Sequence, residues 1–162
     1  MKKLNDLIAK IGACLQSPIL LLVRLAWGFQ LCESGWAHLT NVDKTAQFFQ
    51  SLNIPFPVAN VYISGSVELV GGILLMLGLF SRLVSIPLIF NFCVAYLTAS
   101  SDSIKALLHF KNPDAFINDS AFPFLVTSLL ILAFGAGKFS LDYLIEKVLG
   151  MKSGASGSGS GS

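Results

Sequence analysis

Arg24 and Glu33 stand within an otherwise apolar stretch, ILLLVRLAWGFQLCESGWAHL, residues 19–39. Glu68 lies in a second such stretch, ISGSVELVGGILLMLG, and Asn91 in a third. An ionisable side chain at the centre of a membrane span costs about 2.5–3.5 kcal/mol on insertion scales. Each one therefore needs a partner or a polar pocket. A guanidinium and a carboxylate can clamp two helices together through a bidentate, charge-assisted bond. An acid with no cation in reach is the stronger candidate for binding a ligand, because its placement has no structural explanation in the sequence.

The elements that position these residues are helices in a bilayer. Of 162 residues, 54% are hydrophobic and 12% charged, half the charge of a usual soluble domain. About 20 apolar residues span a bilayer, so four spans and their loops use nearly the whole chain and leave no room for a separate soluble catalytic module. The net charge of +2 is scattered, with no basic run, which excludes nucleic-acid binding. Cys14, Cys32 and Cys93 make no CxxC pair and no metal-ligand spacing.

The patterning predicts an all-α integral membrane protein, a four-helix up-down bundle. Residues 1–17 read as an amphipathic surface helix, with Leu4, Leu7, Ile8, Ile11 and Leu15 at helical spacing. Residues 18–150 form the four-span domain. Its spans run from Pro18 to about Leu39, Val58 to Phe80, Leu83 to Ala99, and Ala121 to Ala136. Short interfacial helices are expected in the outer loops, one capped by Asp43 and one within SSDSIKALLHFKNPDAFINDS. Residues 151–162 have the composition of a flexible linker and are left out of the fold. Outside the spans, Lys2, Lys3, Lys10, Arg82, Lys138, Lys147 and Lys152 fall on one side, and Lys44, Lys105 and Lys111 on the other. The positive-inside rule then puts both termini in the cytoplasm.

At 100 degrees per residue, Gly28, Leu31, Gly35 and His38 fall within about 40 degrees of Arg24, and Glu33 falls opposite. The two charges of the first span need separate partners. Counting rise from the span edges places Arg24 about 9 Å deep and Glu68 about 6 Å beyond it along the axis. Asn91 comes to a similar depth. Arg24, Glu68 and Asn91 are thus expected to make a buried polar layer, with Glu68 answering Arg24 and glycines letting the helices close up. No cation lies near Glu33. Its expected surroundings are Gln30, His38, Tyr96 and Trp27, a candidate ligand pocket. Metal binding is not expected, since no histidine spacing supports it. The sequence also holds no Walker loop, GxSxG elbow, HExxH helix or facing histidine pair for haem.

An arginine in the first span, the NIPFP entry to the second, VELVGGILLMLGLFSRLVS and the closing AFGAGKFSLD together resemble the DoxX family of small bacterial membrane proteins. The resemblance covers about residues 15–145, and Arg24, Glu68, Gly72, Gly78 and Arg82 fall on the family's pattern. His38 stands where the family commonly carries a lysine. The resemblance implies a multi-pass protein of the bacterial inner membrane. Some members are subunits of quinone-linked sulfur oxidation systems, and others are associated with oxidative-stress or thiol enzymes.

The expected function is therefore that of an oxidoreductase-associated membrane subunit holding a quinone or another lipophilic redox molecule between its helices. No cofactor is covalently bound, and electrons come from a soluble or membrane oxidoreductase partner. Two other functions fit the same sequence. One is a non-catalytic membrane anchor or assembly scaffold for soluble partners. The other is binding or transport of a small lipophilic solute, which four short helices would perform as a homo-oligomer.

Overall fold

The computed structural model describes residues 2–99 and 113–148, and every regular element among them is helical. Helix α1 spans Lys2–Thr40, α2 Val42–Ser51, α3 Pro57–Leu77, α4 Ser81–Thr98, α5 Pro113–Ile117, α6 Phe122–Phe134 and α7 Leu141–Val148. Three of them, α1 from Cys14, α3 and α4, are long and apolar enough to cross a membrane. The fourth apolar helix, α6, has 13 residues and rises only about 20 Å.

The helix expected to begin at Pro18 instead runs through it from Lys2. Proline removes one helical N–H and crowds the carbonyl four residues back, yet apolar helices accommodate it where neighbours satisfy the freed group. The surface helix expected between residues 100 and 120 lies mostly outside the described residues; its last part is α5. The linker-like residues 151–162 are outside them as well.

Side chains are distributed as in a bilayer rather than in water. Leu22, Phe90, Leu97 and Phe29 point outward, whereas Arg24, Glu68, Ser81, Ser85, Thr127 and Ser128 are buried. Between the helices, Leu31, Leu75, Leu88, Phe92, Tyr96, Ala121 and Ile131 form the apolar core.

Helices α1 and α3 pack most closely, because glycines meet across their seam. A Cβ on Gly72 would fall 2.6 Å from the Gly28 carbonyl oxygen and 2.8 Å from Cys32 Sγ. One on Gly35 would fall 2.7 Å from the Gly65 carbonyl oxygen. Without a hydrophobic drive between helices in lipid, such close backbone contact is what holds them together. Helix α3 ends at Gly78, whose φ of +68° suits glycine. The N–H of Gly78 donates to Leu75 O and that of Leu79 to Leu74 O, closing a Schellman motif that turns the chain into α4.

Adding one methyl group at the seam is expected to cost about 1–3 kcal/mol, because backbone rather than a side-chain tip must yield. Gly72→Ala and Gly35→Ala should each lower the thermal midpoint of the detergent-solubilised protein by several degrees. Gly12→Ala, where nothing lies within 4 Å, should leave it unchanged.

Candidate functional site

The buried ionisable groups occupy two separate places along the bundle. Arg24, fully buried, makes no contact with Glu68, which corrects the expected pair. Its Nη1 donates to the carbonyl of Ala136 at 2.5 Å and its Nη2 to that of Phe139 at 2.6 Å. These carbonyls belong to the non-helical run between α6 and α7. Irregular backbone leaves carbonyls without helical partners, and the arginine fork supplies donors to two of them. The same run is fixed at its far end by Asp142. Its carboxylate accepts from Phe80 N at 2.8 Å and Ser81 N at 3.1 Å, so α4 is capped by a residue 62 positions beyond Phe80. Asp142 N in turn donates to Gly78 O at 3.0 Å. A Cβ on Gly78 would strike Arg24 Nη1 and Ser140 Cβ, both at 2.6 Å.

Glu68 sits further along α3, 4% exposed, and neutral donors surround it. Asn91 Nδ2 donates to Oε1 at 2.9 Å and Ser64 Oγ to the same oxygen at 3.2 Å. Ser34 Oγ donates to Oε2 at 2.7 Å. His38 Nδ1 lies 3.5 Å from Oε2 and has no hydrogen-bond partner. Of the expected polar layer, Glu68 and Asn91 therefore meet, and Arg24 lies elsewhere.

The expected ligand pocket also divides. Glu33 and Gln30 face a groove of about 870 Å³ on the outer side of α1, bounded by Leu25, Ala26, Phe29, Ser34, Ala37 and Phe124. Trp27 packs edge-on against Phe124 with ring centroids 5.8 Å apart, and Phe92 stacks on Phe124 at 5.3 Å. One wall of the groove is thereby a braced aromatic ring. His38 is not in this groove but beside Glu68, with its ring against Phe49 of α2. Tyr96 is buried elsewhere, stacked on Phe116 and donating its hydroxyl to the Phe116 carbonyl at 3.0 Å. No cluster of three or more His, Cys, Asp or Glu side chains occurs among the described residues.

As partners of Glu68, Ser34 and Ser64 go unread in the sequence, which places Ser64 only at the depth of Glu33. Ser34 is the more consequential, because it lines the groove and also donates to Glu68. Two features could have found them. Ser64 precedes Glu68 by four residues and Ser34 precedes His38 by four, so each shares a helix face with a residue of the cluster.

A model of the DoxX family matches residues 19–101. The chain is also 28% identical over 136 residues to a Bacillus subtilis (strain 168) protein named "Putative oxidoreductase CatD", a match covering 83% of this chain and 90% of that protein. No solved structure matches the chain.

Removing the arginine fork should cost more than removing a charge. Arg24→Met leaves the buried carbonyl of Ala136 without a donor, at roughly 1–3 kcal/mol, and costs less at the more exposed Phe139. Arg24→Lys keeps the charge but not the planar fork, and should recover only part of the loss. Thermal unfolding in detergent, with limited proteolysis of the 135–140 run, reads both effects. Full recovery by lysine would mean that the charge, not the fork, is what matters.

Proposed function

The chain belongs to the DoxX family, and on that premise we propose that it is a membrane subunit of an oxidoreductase system that holds a quinone or similar lipophilic redox molecule against α1. The supporting observation is the groove beside Glu33. Its volume of about 870 Å³ lies within the usual range for small-molecule sites, and its walls are apolar and aromatic with three polar groups converging on them. A quinone ring has two carbonyl oxygens on a flat apolar body. Gln30 offers a donor for such oxygens, and Phe29 and Phe124 offer faces for the ring. The groove opens to the side of the bundle, where a bilayer-soluble molecule arrives without crossing water. When bound, the quinone supplies electron-accepting capacity that none of the chain's own side chains provides. The name of the Bacillus subtilis relative, an oxidoreductase, agrees with such a role.

In this reading α1, α3, α4 and α6 form a four-helix up-down bundle, with the first 17 residues along the membrane surface. Both termini face the cytoplasm of a bacterial inner membrane, as the lysine and arginine bias argues. An oxidoreductase partner delivers electrons. Glu33 fixes the ligand's orientation at the groove's polar end rather than taking part in the electron transfer.

Mass spectrometry of small molecules extracted from protein purified in mild detergent tests the reading. A quinone near stoichiometric with the wild-type protein is expected. Glu33→Gln should reduce its recovery several-fold, and Ala37→Trp, which fills the groove, should abolish it. Bulk lipid alone in every sample would overturn ligand binding and leave the scaffold function in its place.

A further inference from the structure

Counting lone pairs around Glu68 leaves one position open. An ionised carboxylate offers about four acceptor sites, two per oxygen. Asn91 and Ser64 take both on Oε1, and Ser34 takes one on Oε2. The remaining site on Oε2 faces His38 Nδ1, 3.5 Å away, and that nitrogen is buried with no partner of its own. A proton carried by either group would complete the bond: His38 Nδ1–H donating to the carboxylate, or a protonated Glu68 donating to Nδ1.

We propose that Glu68 and His38 form a proton-binding pair that exchanges protons between the α1–α2 end of the bundle and the groove. His38 stands in the last turn of α1, and its side chain is 28% exposed, so it provides the aqueous end. Ser34 provides the groove end, because it lines the groove and bonds Glu68 Oε2. In the transfer, the His38 Nδ1–H bond breaks and an O–H bond forms on Glu68 Oε2. The acid proton then swings to the side of Oε2 that faces Ser34 as the Ser34 hydroxyl turns its own hydrogen from Oε2 to the groove. Oγ accepts the first proton while releasing the second to an acceptor oxygen of the bound ligand. One proton enters, one leaves, and no oxidation state changes.

The surroundings favour a group that changes charge. From α1 the cluster is faced by Ser34 and His38, from α3 by Ser64 and from α4 by Asn91; α2 contributes Phe49 against the His38 ring. His38 is the ionisable group in contact with Glu68 among the described residues. Neutral hydroxyl and amide donors can rotate to serve either the carboxylate or the acid, unlike a fixed cation, which would lock the ionised form.

The groove end rests on the ligand reading above; the Glu68–His38 pair does not. Infrared difference spectroscopy of the full chain in detergent separates them. Across a pH series, the wild-type protein should show a carboxylic-acid band that is lost in Glu68→Gln and kept in Glu33→Gln. In His38→Gln its midpoint should move to higher pH by about one pH unit, because a histidinium beside the carboxylate favours its ionised form. An unmoved midpoint in His38→Gln overturns the pair, even if Glu68→Gln fails to fold. Adding a short-chain benzoquinone should then perturb the Glu68 band in wild type but not in Ser34→Ala. If tryptophan fluorescence shows that the benzoquinone does not bind, the groove reading fails while the titration still decides the pair. If it binds and Ser34→Ala behaves like wild type, the relay through Ser34 is wrong.

Discussion

One guanidinium holds two main-chain carbonyls, and much of the architecture depends on that grip. Helix α6 is too short to cross a hydrocarbon core of about 30 Å by itself. The chain beyond its last turn is irregular backbone, and the carbonyl of buried Ala136 within it needs a donor. Arg24 supplies the donors for Ala136 and Phe139, and Asp142 then reaches back to cap α4. The closing GAGKFSLD segment is thus a buckle that joins α1, the α3–α4 turn and α7. Glycine at 78 is required twice over, by its left-handed φ and by the guanidinium lying where a side chain would be.

The glycine seam sets the register that keeps the two polar sites apart. Gly28 faces Gly72 and Gly35 faces Gly65, which brings Arg24 level with Met76. Glu68 is then about eight residues, or about 12 Å, along α3 from the arginine. Arginine at this depth is permanently charged and is answered by carbonyl dipoles. Glu68 is answered by groups that carry no charge, with one imidazole alongside. Three neutral donors thus do for Glu68 what a cation would have done in a clamp against Arg24.

The face of α1 was legible from spacing alone: Arg24, Gly28, Leu31 and Gly35 share one side and are all buried. So was the approach of Asn91 to Glu68, since the distance of Glu68 from the outer end of its span and of Asn91 from Arg82 bring them to one depth, where they bond at 2.9 Å. The Arg24 partner was not legible. A core of about 30 Å between the span edges puts Arg24 and Glu68 about 6 Å apart along the axis, whereas the glycine register sets them about 12 Å apart. Main-chain carbonyls also leave no trace in sequence as partners, and only the two glycines of GAGK hinted at irregular backbone there. Grouping His38 with Glu33 conflicted with the helical wheel itself, which puts them on different faces. The structure follows the wheel: Glu33 looks into the lateral groove and His38 toward Glu68.

That separation gives α1 two working faces with a single residue at their boundary. Glu33 is on the outer face, where it lines the lateral groove. Glu68 and His38 lie behind the inner face, shielded from lipid. Ser34 belongs to both, since its side chain lines the groove and its hydroxyl bonds the buried carboxylate. A quinone of the kind proposed above that becomes a quinol gains two protons with its two electrons, and hydrocarbon around it supplies none. A site in the plane of the membrane therefore needs a route to exchangeable protons as well as a pocket. On α1 that route requires only a hydroxyl between a groove and a carboxylate, one helix width apart.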